Sequence, residues 1–117
     1  MTNKLYRAIR QGAVAKLYVD NAELSLKEAN TLHPSEATPE FGYFGDGPSQ
    51  TSLAILYDAI QERPNAKELA LKYYHDFKFE FVASADYNLG FTILESQIKQ
   101  WLNKRLNINR DDRGWIV

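Results

Sequence analysis

"LALKYYHDFKFEFV", residues 69–82, decides how this chain folds, because it supports two opposite readings. Its second half, "FKFEFV" at 77–82, alternates aromatic and charged side chains, the pattern of a half-buried strand. Yet Leu69, Tyr73, Phe77 and Phe81 recur at strict fours, which lines them along one helical face. The fours predict a helix over residues 66–83 with Tyr73 and Phe77 in the core.

Working outward, the period persists on both sides. Leu53, Leu56, Tyr57 and Ile60 form the stripe of an amphipathic helix that starts near Gly47-Pro48, since proline suits the first helical turn. "RPNA" at 63–66 separates the two helices and offers Asn65 as a cap. Downstream, "TILESQIKQWL" carries Thr92 and Glu95 in capping-box register and Ile98, Trp101 and Leu102 on one side, a third helix. Upstream, residues 4–9 and 14–19 alternate as a hairpin, and Asp20-Asn21 favours a tight reversal into a short third strand. "HPSEATPE" at 33–40 is a loop, following a helical turn at 26–32. The expected fold is α+β: a small N-terminal antiparallel sheet of two or three strands packed with three helices. One domain spans 1–117, with its core over about 4–106 and a tail at 107–117.

The composition agrees and excludes several functions. A chain of 117 residues with 44% apolar side chains has room for one core. Fourteen basic and fifteen acidic residues leave a net charge of -1, so bulk electrostatics draws neither nucleic acid nor an anionic membrane. No cysteine is present, which removes disulfides, thiolate nucleophiles and cysteine-ligated zinc. No segment has the apolar length of a signal peptide or a membrane span, and a cytoplasmic protein is expected.

The stretch richest in chemistry is "FGYFGDGPSQ", residues 41–50. A helix N-terminus presents unpaired N–H groups and a partial positive charge, so a glycine-rich lead-in is suited to an anion. Gly45 and Gly47 would admit close approach, with one of them at positive φ. The amides of Ser49 and Gln50 would point into a cleft, while Tyr43 and Phe44 would stack on a base. Neither nucleotide fingerprint is met, because the loop lacks a phosphate-binding lysine and the GxGxxG spacing. The competing reading is a turn followed by a helix start and nothing more.

Other candidates are thinner. His75-Asp76 with Ser49 or Ser52 has no nucleophile elbow around it, and His33 and His75 are too far apart in sequence for a metal motif. No catalytic residue, cofactor or metal is assigned. Tyr74 and Lys78 form an aromatic–basic pair one turn apart. In the tail, Arg110 and Arg113 are candidates for a phosphate in a shared site, and Trp115, Ile116 and Val117 predict self-association.

Three stretches, "FGYFGDGPSQTSLAILYDAI", "YYHDFKFEFVA" and "QIKQWL", together with the N-terminal strands, resemble an uncharacterised family, DUF6166, of small proteins carried by phages, plasmids and bacterial genomes. The resemblance covers roughly residues 4–102 and implies no established activity; it implies a mobile-element setting. The family's pattern has a small neutral residue where this chain has Asp46. Together these readings lead to two expectations. One is a non-enzymatic binder of a small phosphorylated, nucleotide-type ligand, a counter-defence protein acting by sequestration. The other is a protein-binding module or inhibitor of a host factor, with the loop as scaffold.

Overall fold

The computed structural model describes residues 3–108. Strands β1 (Leu5–Gln11) and β2 (Val14–Val19) form the expected hairpin. Asp20 then sits at φ 54°, in the left-handed region that aspartate tolerates. Its amide donates to the Leu5 carbonyl at 2.7 Å and its carboxylate accepts from the Leu5 amide at 2.9 Å. The reversal leads into the two-residue β3 (Ala22–Glu23).

A fourth strand, β4 (Phe91–Leu94), pairs with the other side of β1, giving an antiparallel sheet in the order β3-β2-β1-β4. Register pairs Tyr6 with both Val19 and Ile93, and Ala8 with Leu17. Tyr6, Ala8, Leu17 and Ile93 therefore share one face, and all four are buried. This strand corrects the expected capping box. Thr92 lies in β4 opposite Arg7, and helix α4 (Glu95–Ile108) begins only at Glu95. Capping comes instead from Gln97, whose Oε1 accepts the Leu94 amide at 2.8 Å, and from Asn3, whose Oδ1 accepts the Ser96 amide at 2.9 Å. A run of four residues carries too little periodicity to separate a strand from a helix lead-in.

Four helices cover the inner face. The helical turn near 26–32 is α1 (Lys27–Leu32), followed by α2 (Asp46–Ile60), α3 (Ala66–Phe77) and α4. Helix α2 is central: residues 48–56 are all buried. Asn65 holds the cap position of α3, but its side chain makes no capping bond.

The stretch at 69–82 is helical, with Tyr73 and Phe77 only 2% and 0% exposed. The charged–aromatic alternation nonetheless has a structural counterpart. From Lys78 to Val82 the helix widens into a π turn, in which the Ala83 amide donates to the Lys78 carbonyl at 2.8 Å. A repeat of four runs ahead of the α-helix's roughly 3.6 residues per turn, and a wider turn compensates. Phe77 and Phe81 thus both reach Trp101, at 5.4 and 6.0 Å between ring centroids.

Candidate functional site

The loop at 41–47 is held from the sheet side by Arg10. Its Nε donates to the Tyr87 carbonyl at 2.7 Å, and its Nη2 to Glu40 at 3.0 Å and the Phe41 carbonyl at 3.2 Å. The guanidinium lies over the Phe41 and Tyr87 rings, 4.6 and 3.8 Å from their centroids. Sequence reading passed over Arg10, because its partners are far along the chain and no local pattern marks it.

The left-handed glycine of the loop is Gly42, at φ 85°, rather than Gly45 or Gly47. Gly45 has φ 169°, extended backbone that any residue adopts. A Cβ on Gly42 would lie 2.6 Å from the Tyr87 Cα, and one on Gly47 would lie 2.8 Å from the Glu40 Cβ. The loop turns at Gly42, then, and Gly47 admits the neighbouring strand of chain.

The start of α2 also differs from expectation. Because the helix begins at Asp46, the Ser49 amide already donates within it, to the Gly45 carbonyl at 3.1 Å. The amides that lack an intrahelical partner by position are those of Asp46 and Gly47, and no side chain at the cap bonds to them. Gln50 is fully buried, and its Nε2 donates to the Ala29 carbonyl, Asn30 Oδ1 and the His33 carbonyl at 3.1, 2.9 and 3.1 Å. It joins α1 to α2. The Asp46 carboxylate accepts from the Ser35 hydroxyl at 2.6 Å.

The lysine missing from the loop arrives from the π turn. Lys78, only 8% exposed, donates from Nζ to Ser49 Oγ at 3.1 Å. Among the described residues no carboxylate comes within ion-pair distance of it. Its ammonium is 4.9 Å from the Phe79 ring centroid, and Phe79 in turn packs at 5.4 Å against Phe44. Phe44 and Phe79 are 65% and 55% exposed, so a cation and two open rings meet where α2 begins. Tyr43 packs on Tyr87 at 6.3 Å between centroids and is also exposed. Tyr43, Phe44, Gly45, Gly47 and Ser49 are thus one neighbourhood, with Gln50 turned inward. Arg110 and Arg113 lie outside the described residues, as does the end of the tail.

Two histidines flank the same corner. The His33 and His75 rings lie 6.2 and 4.1 Å from that of Tyr74. Partial burial holds the His75 imidazole below its ordinary range, and the charges of Lys78 and His33 push it the same way against Asp76. Burial, and then the Asp46 charge, raise the Tyr74 hydroxyl. The pair Tyr74 and Lys78 is buried on both members.

Elsewhere the chemistry is internal. Ser52 is buried and its hydroxyl donates to the Pro48 carbonyl at 2.7 Å, while Asp76 pairs with Arg105 at 3.3 Å. Three hollows of about 430, 300 and 400 Å³ share Tyr57. Their linings mix Lys27, Lys67 and Arg63 with Glu28, Asp58 and Glu68, so each hollow sets both signs of charge side by side. Among the described residues no three metal-ligating side chains cluster, and no helix is long and apolar enough to cross a membrane.

An α+β domain with a buried lysine at a helix start is the class that these features define. A family of unknown function, DUF6166, matches residues 4–104, and the chain belongs to that family. No curated protein and no solved structure matches it.

Proposed function

We propose that this protein is a non-enzymatic binder of a small phosphorylated ligand with a planar ring, a nucleotide-type molecule, held where α2 begins. The observation that carries the reading is Lys78: a lysine nine-tenths buried beside a serine hydroxyl, with no carboxylate in ion-pair reach among the described residues. A buried cation is costly unless an opposite charge accompanies it. A phosphoryl group would supply that charge and take the amides of Asp46 and Gly47 as further donors. Phe44 and Phe79 offer exposed faces for a base. Asp46 opposes an anion, but Ser35 holds its carboxylate. A binder of this kind acts by sequestration, which suits the counter-defence role expected of a mobile-element protein.

A second reading uses the same aromatic surface. Tyr43, Phe44, Phe79 and Tyr87 are all exposed and packed in pairs, the residue types enriched at protein interfaces. On that reading the chain is an interaction module or an inhibitor of a host factor, and Lys78 is scaffold.

A thermal-shift screen with nucleoside monophosphates and cyclic nucleotides separates the two. The first reading predicts a rise in melting temperature for at least one of them, because a ligand that binds only the folded state stabilises it. The rise should disappear in Lys78→Met. A flat screen for the wild-type protein contradicts it and leaves the second reading.

A further inference from the structure

The corner where Lys78 meets α2 carries an acid of its own, and that acid bears on the charge of the ligand. Asp46 is the first residue of α2, so an amide offered to the anion and a carboxylate belong to one residue. Covalent geometry keeps an aspartate's carboxylate oxygens within about 5 Å of its own amide nitrogen. The Ser35 hydroxyl, at 2.6 Å, orients the Asp46 carboxylate but brings no charge to cancel it. Among the described residues no basic group comes within ion-pair distance of Asp46.

We infer that the phosphoryl group held here is a phosphodiester with one negative charge, as in a cyclic nucleotide, and that Asp46 selects against the doubly charged monoester. The inference rests on the anion-binding reading of Lys78 and narrows its ligand class.

The balance of charge makes the case. Lys78 supplies one positive charge, and the start of α2 adds about half of one. Asp46 takes one away. The attraction of a site for an anion grows in proportion to the anion's charge, but the cost of removing the anion from water grows as the square of that charge. That cost matters beside Lys78, which is 8% exposed and has the Phe79 ring 4.9 Å from its ammonium. A diester brings the one charge that the lysine matches. The second charge of a monoester meets a lysine already matched and a carboxylate that repels it. The diester wins.

Cyclic adenosine monophosphate and adenosine monophosphate are the probes, because they share a base and differ in phosphoryl charge. Each is titrated into the full chain by calorimetry at about pH 7.5 and about pH 5, on either side of a monoester's second ionisation near 6. The readout is the change in the ratio of the two affinities, since the difference in ligand shape is the same in every arm. At the higher pH the cyclic ligand should bind about tenfold tighter, and at the lower pH, where both ligands are monoanions, that lead should shrink by about threefold or more. Repulsion scales with charge, so Asp46→Asn at the higher pH should tighten the cyclic ligand about threefold and the open one about tenfold. Circular dichroism checks the fold of the variant. If both ligands bind but their ratio ignores either change, or the open ligand is the tighter at the higher pH, the inference is overturned and the Lys78 reading survives. If neither binds, or if Lys78→Met leaves the binding intact, both fail together.

Discussion

Two buried cations flank the loop at 41–47, and they are treated differently. Arg10, with its side chain 5% exposed, has Glu40 at 3.0 Å, two backbone carbonyls and two aromatic faces. Lys78, 8% exposed, has one hydroxyl at 3.1 Å and the neighbouring Phe79 ring. Both side chains leave water, but among the described residues only Arg10 has a counter-charge within ion-pair distance. Where the fold supplies the counter-charge, as Glu40 does for Arg10, the group serves stability, even though its Nη1 stays buried without a hydrogen-bond partner. Where no carboxylate among the described residues supplies it, as around Lys78, that part falls on the proposed reading to an anion from solution.

The contrast predicts opposite responses to the same substitution. Arg10→Met removes three hydrogen bonds and strands Glu40, and should destabilise the protein by about 3 kcal/mol in urea unfolding, the low end for breaking a buried pair because Glu40 keeps some solvent. A loss below about 1 kcal/mol would mean that the Arg10–Glu40 pair contributes no more than an exposed one. Gly42→Ala probes the same corner through the backbone. A side chain at φ 85°, aimed at the Tyr87 backbone, should cost about 2 kcal/mol or more.

On the open side the effects are on binding. Phe79→Ser removes an exposed ring and should weaken a nucleotide about tenfold, consistent with roughly 1–3 kcal/mol per stacked base, while leaving sulfate binding unchanged. Equal losses for both ligands would show that the ring supports the anion site rather than the base. The smallest expected effect is on stability: Lys78→Met should change it by no more than about 1 kcal/mol without ligand, and a gain is admissible, since apolar replacement of a buried charge is often neutral or stabilising. A loss as large as that of Arg10→Met would erase the distinction between the two cations.

What sequence revealed of this arrangement depended on distance along the chain. The repeat at Leu69, Tyr73, Phe77 and Phe81 is local, and it disclosed the helix and two of its core residues. Asp20-Asn21 disclosed the reversal into β3 for the same reason. The loop at 41–50 was recognisable as the place to look, from its glycines and aromatics. Its geometry was not, because φ at Gly42 is set by Tyr87 and Arg10, which arrive from β1 and the 86–90 turn. The lysine was visible as a residue but not as a neighbour of Ser49, and the two histidines not as neighbours of one tyrosine, since the π turn and the end of α1 meet their partners only in the folded chain. The strand at 91–94 was hidden by its shortness: its partner, the free edge of β1, is almost the whole length of the domain away.

The central claim, that Lys78 waits for an anion at the start of α2, is tested most directly by mapping amide shifts in a ¹⁵N–¹H spectrum as adenosine monophosphate is added. The account predicts the largest, saturable shifts at Asp46, Gly47, Ser49, Lys78 and Phe79, and their absence in Lys78→Met. Shifts concentrated elsewhere, or a map that survives loss of the lysine unchanged, would contradict it.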